Sequence, residues 1–313
     1  MIFYCKEKPF AQEPGEVYQG EALKVFNFLY FSHSEHRPTL KALLAGTEGD
    51  KKSRFALIDL AASFAAQLQY RDMLDIAQYA EHSLRYFKRC LQARGYKMAT
   101  TDELRIISAS AKDTVLLVTG CQTPEVRNAR VRGAYTALKD LDVPAVRVVL
   151  SGANPGSDPE SMVRSERVPI EPDEAGAMNV FFDELITSDA HPPRCRLTFH
   201  KESESTSTTQ NIQRFFSQTT FDAAGHNHLL ISSSAFHLPR IADEGERYLV
   251  AHDPGIDRVT LIQSEHLNAG TSSDLNRHQI YVKQMTFELY RMIFAQMGDR
   301  LDDLFIRETS LRV

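Results

Sequence analysis

The feature that most constrains the fold is a regular alternation of apolar and helical segments between residues 111 and 265. The apolar segments are continuous runs of five to eight residues: TVLLVTG (114–120), AVRVVLSG (145–152), CRLTF (195–199), HLLISSS (228–234) and RVTLIQS (258–264). Continuous runs of this length are typical of parallel strands that are buried on both faces. Helical patterns separate them, so we predict an α/β fold with a doubly wound, mainly parallel sheet of about five strands.

Helical spacing of apolar residues also dominates both ends of the chain. Residues 20–33 and 55–93 contain few helix breakers, and Ser273 or Asp274 could cap a long amphipathic helix near the carboxyl terminus. We therefore predict three zones: a helical N-terminal extension over 1–110 that packs on the core, an α/β domain over 111–265, and a C-terminal helical segment over 266–313.

Charge and cysteine usage argue against several classes of partner. The 313-residue chain has 36 Lys and Arg against 41 Asp and Glu and no basic run, which gives no electrostatic reason to expect nucleic acid. No apolar run is long enough to cross a membrane, and the amino terminus lacks the apolar region of a signal peptide. The four cysteines are widely spaced, as expected for reduced thiols. We expect a cytosolic protein that binds neither nucleic acid nor membrane, and its oligomeric state stays open.

Several familiar site motifs are absent from the sequence. It contains no GxGxxG, no GxxxxGK[ST] and no GxSxG. The stretches HSEH (33–36) and HNH (226–228) have no further ligands at recognisable spacing, so no metal site is predicted. Cys121 follows the first core strand, where a small buried thiol is a commoner role than a nucleophile.

The predicted sheet indicates where a ligand would bind. In doubly wound sheets, ligands bind outside the carboxyl ends of the strands. Loops follow four of those ends, at 120–123, 151–154, 202–211 and 232–240, and three of the four are rich in Ser, Thr, Gly or Asn. Backbone N–H groups ahead of a helix can hold an anion or a carboxylate there. The candidate pocket residues from the first, second and fourth loops are Gly120, Ser151, Gly152, Ser233 and Ser234.

The third loop, in HKESESTSTTQNIQRFF (200–216), has polar residues at a regular spacing. Glu202, Ser205, Thr208 and Asn211 recur every three residues, which places them along one side of a tight turn or early helix. The segment has two interpretations. Either Ser205 or Ser207 caps the next helix and the other side chains are solvated, or the segment forms the floor of a binding site.

Three more residues are candidates for chemistry. His237 and Arg240 lie three apart at the start of a predicted helix. Histidine can act as an acid or base near neutral pH, and arginine can hold a phosphate or carboxylate through two hydrogen bonds. Glu174 also begins a helix, where an acid is favourable to the helix dipole whatever its function. A capped helix with surface side chains remains the alternative for all three.

Taken in order, these loops resemble the YdcF-like proteins, whose other branches include SanA and ElyC. The pattern is a strand with a terminal Gly, a strand ending in SG, and then EAxxM, ExxSxxTxxN and SSxxHxxR. Here it comprises Gly120, Ser151-Gly152, Glu174-Ala175 with Met178, Glu202, Ser205, Thr208, Asn211, Ser233-Ser234, His237 and Arg240. The resemblance covers residues 113–265. The chain departs from it at Ala153, where the family often has a second Gly, and at Gln210, where many members carry Glu.

The resemblance implies a Rossmann-like sheet with helices on both faces, and the absence of an anchor makes the soluble YdcF branch the nearest. That branch is associated with binding S-adenosylmethionine, without an established methyl transfer. The resemblance therefore implies an adenosine-type small-molecule ligand. Glu202 or Glu174 would accept hydrogen bonds from ribose hydroxyls or an amino group, and His237 and Arg240 would face a carboxylate or phosphate.

Two other functions remain open at this point. One is a hydrolase or transferase for a phosphorylated or otherwise anionic substrate, with His237 as the general acid or base, Arg240 as the anion clamp and Glu202 orienting His237. The other is a non-catalytic metabolite sensor or scaffold that engages a partner through its helical N-terminal zone.

Overall fold

The structure is a computed structural model. It describes residues 1–10, 84–121, 123–153, 173–205, 207–222 and 225–264, together with Met285 and Glu288. The predicted helices at 20–33, over most of 55–93 and after Ser273 or Asp274 therefore lie outside the described residues. Residues 84–93 are described, and they are helical as predicted.

The chain divides into two compact units. One unit comprises Met1–Pro14 and Leu91–His266, and the other comprises Gly15–Cys90 and Leu267–Val313. The first unit contains the sheet and every candidate site residue. In the described part of the chain, no helix is both long and apolar enough to span a bilayer.

A seven-stranded sheet forms the centre of the first unit. Its strands run in the order β2-β1-β7-β6-β3-β4-β5. Neighbours from β7 to β5 pair in parallel, whereas β1 pairs antiparallel with both β2 and β7. The strands are β1 (Ile2–Glu7), β2 (Lys97–Ala99), β3 (Asp113–Thr119), β4 (Ala145–Ser151), β5 (Arg196–Glu202), β6 (Asn227–Ser233) and β7 (Ile256–Gln263).

Helices cover both faces of this sheet. They are α1 (Thr101–Ala109), α2 (Pro124–Asp140), α3 (Glu174–Ser188), α4 (Thr208–Gln218) and α5 (Leu238–His252). Alternate residues of β3 point to opposite faces. Leu116 and Val118 pack in one apolar cluster with Phe182 of α3, whereas Val115 and Leu117 pack in another with residues of α4 and α5. Burial on both faces is the reason that β3 is continuously apolar in sequence.

The predicted α/β fold is confirmed, but the predicted strand count is wrong, since the sheet has seven strands and not five. The two extra strands lie within the zone predicted to be helical. β2 has only three residues, too few to show a period. β1 begins with a short apolar run, residues 2–5, but continues with Lys6 and Glu7, so only part of the strand is apolar in sequence. Its Lys6 is nevertheless buried, because it pairs with Glu246 of α5.

The order of the five parallel strands fixes where a site can form. The chain starts at β3 in the middle, builds outward to β4 and β5, and then crosses back to β6 and β7 on the other side. This is the strand order of a doubly wound, Rossmann-like sheet, and its topological switch point lies between β3 and β6. Helices that leave β3 and β6 in opposite directions open a crevice at their carboxyl ends, and ligands of such folds bind there.

Candidate functional site

The carboxyl ends of β3, β4, β5 and β6 bring together the residues singled out in sequence. Gly120 follows β3, Ser151 ends β4 and Gly152 follows it, and Glu202 ends β5. Nine of the polar candidates are buried: Ser151, Glu174, Glu202, Ser205, Thr208, Asn211, Ser233, Ser234 and His237. A purely solvated role for the 202–211 segment is therefore wrong. Its capping role is real but belongs to Ser207, whose side chain accepts a hydrogen bond from Gln210 N of α4.

Arg130 of α2 ties β3 to the loop after β6. Its Nε donates to Ser234 Oγ at 2.9 Å, and its Nη1 donates to the carbonyl oxygens of Thr119 and Gly120 at 3.1 and 2.5 Å. Ser232 Oγ returns a hydrogen bond to the backbone oxygen of Arg130 at 2.8 Å. The guanidinium is 2% exposed, so its charge is compensated by these oxygens and not by water.

His237 is held from both sides of its ring. Ser233 Oγ lies 3.1 Å from Nδ1, and Thr208 Oγ1 lies 2.9 Å from Nε2. Ser233 also shares a 2.8 Å hydrogen bond with Thr119 Oγ1, and Arg240 donates to Thr208 Oγ1. We call the connected set Thr119, Arg130, Thr208, Ser233, Ser234, His237 and Arg240 the closed network. It joins the two strands at the switch point to α2, α4 and α5.

Glu202 is also engaged by its own neighbourhood. Ser151 Oγ donates to Glu202 Oε2 at 2.6 Å, and the backbone N–H of Glu204 donates to Oε1 at 2.9 Å. The side chain is 1% exposed, so both of its oxygens are fixed by groups of β4 and of its own loop. In this position Glu202 locks the end of β5 to the end of β4. Among the contacts of the described residues, none joins Glu202 to His237. The predicted role of Glu202 in orienting His237 therefore has no supporting contact in the described structure.

Glu174 lies in a very different setting, between two glycines. A Cβ built on Gly120 would stand 2.1 Å from Glu174 Oε2, and one built on Gly152 would stand 2.3 Å from the same atom. Only the lack of side chains at both positions lets the carboxyl group approach the strand ends so closely. Gly152 also has a φ of +154°, which L side chains rarely adopt.

Burial dominates the electrostatics of Glu174. Its side chain is 5% exposed, and loss of solvent raises its pKa to about 7, with Arg130 and Arg127 opposing that rise and Asp173 adding to it. No hydrogen bond to this carboxyl group occurs within the described residues. Glu174 is therefore a buried acid that changes protonation near neutral pH, which is a recognised property of functional sites.

Arg127 is the second unsatisfied group. It lies on the first turn of α2, is 3% exposed, and has no partner for Nε or Nη1 in the described structure. Burial lowers its pKa, and the charges of Glu174, Cys121 and Glu125 oppose that change. The guanidinium therefore lies within electrostatic reach of Glu174 and Cys121, although no ion pair with either appears among the described contacts. Cys121 is half-buried, and desolvation raises the pKa of its thiol, which fits a structural thiol better than a nucleophile.

Two more buried polar atoms lack partners on the side of β5. Ser205 Oγ and Asn211 Oδ1 have no hydrogen bond in the described structure, although their residues are 2% and 6% exposed. Ser205 connects to the glycine pair through its backbone, because Ala153 N donates to Ser205 O at 2.8 Å. We call Gly120, Arg127, Gly152, Glu174, Ser205 and Asn211 the open cluster.

Sequence reasoning missed Arg127 and Arg130. The signal was present, since two arginines stand three apart between Val126 and Val131 on a helix that follows a core strand. Residues three apart share a helix face. A charged pair flanked by apolar residues on one face is therefore a buried-arginine pattern, which becomes distinctive only when the helix is known to lie against the strand ends.

The described residues contain no group of three or more His, Cys, Asp or Glu side chains that could hold a metal ion. Comparisons with protein-family models, with curated proteins and with solved structures gave no match. The Rossmann-like α/β fold is therefore established by the strand order, and the YdcF-like resemblance rests on the motifs quoted above.

Proposed function

We propose that this protein binds a small molecule of the adenosine type, with S-adenosylmethionine as the first candidate, at the carboxyl ends of β3 to β6. The observation that carries the proposal is the open cluster, whose members follow the carboxyl ends of β3, β4 and β5. Native proteins leave few buried polar atoms without partners, and a ligand is one of the usual reasons for an exception. Four of the eight such atoms among the described residues belong to Arg127, Ser205 and Asn211, at the edge of the sheet where folds of this class bind ligands.

The unpartnered atoms favour a ligand with both kinds of polar group. Asn211 Oδ1 can only accept, so it calls for a ligand hydroxyl or amino group. Glu174 can accept through its carbonyl oxygen in either protonation state. Arg127 donates only, so it calls for an oxygen with negative charge. Ribose hydroxyls, an amino group and a terminal carboxylate are all present in S-adenosylmethionine, and the YdcF-like motifs add to this choice.

Calorimetric titration with S-adenosylmethionine and S-adenosylhomocysteine tests the proposal. Wild-type protein is expected to bind at least one of them, and Asn211→Leu is expected to weaken binding by about tenfold or more, because a hydrogen-bonding site rejects a partner that leaves a polar group unpaired. Ser217→Ala, on the exposed side of the same helix, is the matched control and should bind normally. The absence of binding to both compounds would refute the adenosine-type ligand.

A hydrolase or transferase acting on an anionic substrate is the second candidate. The contact that favours it is Thr208 Oγ1, which lies 2.9 Å from His237 Nε2 and also receives a hydrogen bond from Arg240. A hydroxyl between a base and a cation is an arrangement used for nucleophiles. In that case His237→Ala abolishes turnover and leaves ligand binding within about tenfold. Binding with no turnover of any anionic substrate tested would favour a metabolite sensor instead.

A further inference from the structure

The N-terminus of α2 has two features that together favour an anion. Pro124 occupies the first helical position, and the side chain of Thr123, at the N-cap, hydrogen-bonds with Cys121 and leaves the helix N-terminus without a side-chain cap. Helix N-termini attract negative charge because their N–H groups point outward and the helix dipole adds to their field. The independent observation is Arg127, which is buried in the same turn with two donor atoms unpartnered within the described residues.

A buried arginine with no hydrogen-bonding partner is expensive in free energy. Removing a guanidinium from water is compensated only by good geometry with an opposite charge or with several acceptors. Arg130, three residues along the same helix, obtains this compensation from carbonyl and hydroxyl oxygens. Arg127 does not, and Glu174 influences it without forming an ion pair in the described contacts. The asymmetry indicates that the partner of Arg127 is none of the described groups, and a bound ligand would supply one.

We propose that Arg127 binds an anionic group of the ligand, a phosphate or a carboxylate, between itself and Glu174, and that Glu174 contacts this group in its protonated form. The inference rests on the proposed binding site and assigns its charged end. A protonated carboxyl group donates one hydrogen bond, whereas an ionised one would repel the anion. Anion binding is therefore coupled to uptake of one proton by Glu174.

The charges around Glu174 are consistent with this coupling. Arg127 and Arg130 reach it from α2 and favour its ionised form, while Asp173, the N-cap of its own helix α3, favours the neutral form. Cys121, in the loop after β3, is within reach of the Glu174 charge and stays a thiol because burial raises its pKa. Since desolvation outweighs the two arginines, the pKa of Glu174 is about 7, and an anion beside it will raise that pKa further.

Sulfate is the probe for the charge alone, because it stays a dianion across the pH range and needs no adenosine group. Thermal unfolding is followed against sulfate concentration at fixed ionic strength, with chloride as the reference, for wild type, Arg127→Met and Arg132→Gln. Arg132 lies on the same helix and packs over the Phe181 ring, so its replacement removes the same charge from a place outside the cluster. Sulfate also stabilises proteins nonspecifically, and that part is common to all three.

We expect wild type and Arg132→Gln to show the same saturable stabilisation by sulfate, and Arg127→Met to weaken the apparent affinity by at least about tenfold. Between pH 8 and pH 6, wild-type affinity should rise by about tenfold, in proportion to the fraction of Glu174 that is protonated. Glu174→Gln, which mimics the neutral acid, should bind as tightly at pH 8 as at pH 6. Equal sulfate stabilisation in wild type and Arg127→Met, or none beyond chloride in wild type, overturns the proposal.

A second measurement does not depend on any substitution. The pKa of Glu174 is followed by carboxyl NMR titration of the wild-type protein with and without sulfate. The proposal requires sulfate to raise this pKa, and an unchanged pKa refutes the contact with Glu174. Because neither experiment uses an adenosine compound, the anion site can fail while the proposed ligand stands, and the reverse is also true.

The source of the anion is then distinguished with matched ligand pairs. Adenosine 5′-monophosphate against adenosine tests a phosphate, and S-adenosylhomocysteine against 5′-methylthioadenosine tests the carboxylate of an amino acid. The anionic member of the right pair should bind at least about tenfold tighter, and Arg127→Met should abolish that difference. If both pairs bind equally well in their neutral and anionic members, the anion proposal is wrong.

Discussion

The closed network and the open cluster share one edge of the sheet but differ in whether their buried polar atoms have hydrogen-bonding partners. In the closed network, Arg130 and His237 find oxygen partners in the chain itself. In the open cluster, Arg127, Ser205 and Asn211 keep buried atoms that have no partner in the described residues. The two arginines come from the same helix and differ by one turn. The comparison suggests that the first set stabilises the fold and the second set is reserved for a ligand.

The largest expected effect is the difference in stability between substitutions of Arg130 and Arg127. Arg130→Met should lower the free energy of unfolding by about 4 kcal/mol, because it removes a buried charge from acceptors that then stay unpaired. Arg127→Met should change it little or raise it, because an apolar side chain replaces a buried charge without partners. Urea unfolding of both variants at pH 7 measures the difference. Equal losses would remove the distinction between the two sets.

The second test uses pH. Glu174 has a folded pKa of about 7, above its usual value, so the native state binds its proton more tightly than the unfolded chain does. The ionised group therefore destabilises the native state. The free energy of unfolding declines by up to about 3 kcal/mol as pH rises from about 4.5 to 7, and it is constant above that range. Glu174→Gln lacks this slope.

The measurement is the stability of Glu174→Gln minus that of wild type, taken by urea unfolding from pH 4.5 to 8. This difference should increase toward high pH by about 3 kcal/mol. Taking the difference matters, because burial lowers the pKa of His228 to about 3 and that group alone makes stability fall as pH drops below about 6.5. A flat difference would show that Glu174 titrates as it does in the unfolded chain.

The third test concerns the glycine pair. Gly152→Ala should lower the free energy of unfolding by about 2 kcal/mol or more, since the new methyl group meets the Glu174 carboxyl and the backbone φ is unfavourable. Gly245→Ala in α5 is the matched control, because a Cβ there meets nothing within 4 Å. That change should stabilise the helix by up to about 1 kcal/mol. Thermal unfolding of both variants checks this, and similar losses would show that crowding by Glu174 is not the cause.

The smallest effect compares two buried serines. Ser233→Ala should cost about 1 kcal/mol, because Thr119 and His237 Nδ1 lose a hydrogen-bonding partner. Ser205→Ala should cost close to nothing in the ligand-free protein, because its hydroxyl has no partner among the described groups. When ligand binding is measured instead, Ser205→Ala should cause the larger loss of affinity and Ser233→Ala the smaller. A substantial loss of stability in Ser205→Ala would move Ser205 out of the open cluster.

Much of the fold was predictable because burial on two faces leaves a direct trace in sequence. β3, β4, β6 and β7 are mostly buried and appear in sequence as largely apolar runs, whereas β5 lies at the edge of the sheet and is mostly exposed, and the helices between the strands follow a 3.6-residue period. β1 and β2 were not predictable in this way. β2 is too short, and β1 carries a lysine whose burial depends on Glu246, some 240 residues away. Pairing over that distance cannot be read from a local pattern.

The chain by itself determined the class of fold and the loops in which a site could form, because hydrophobic periods and the carboxyl ends of strands are local properties. The sequence also places glycine at positions 120 and 152. Only the tertiary structure decided which polar residues belong to the closed network and which to the open cluster. Whether Arg127 or Arg130 finds acceptors depends on where α2 lies against the ends of β3 and β6, and the pKa of Glu174 depends on how much solvent its packed neighbours exclude. Desolvation and hydrogen bonding are set by neighbours in space, and no local stretch of sequence specifies them.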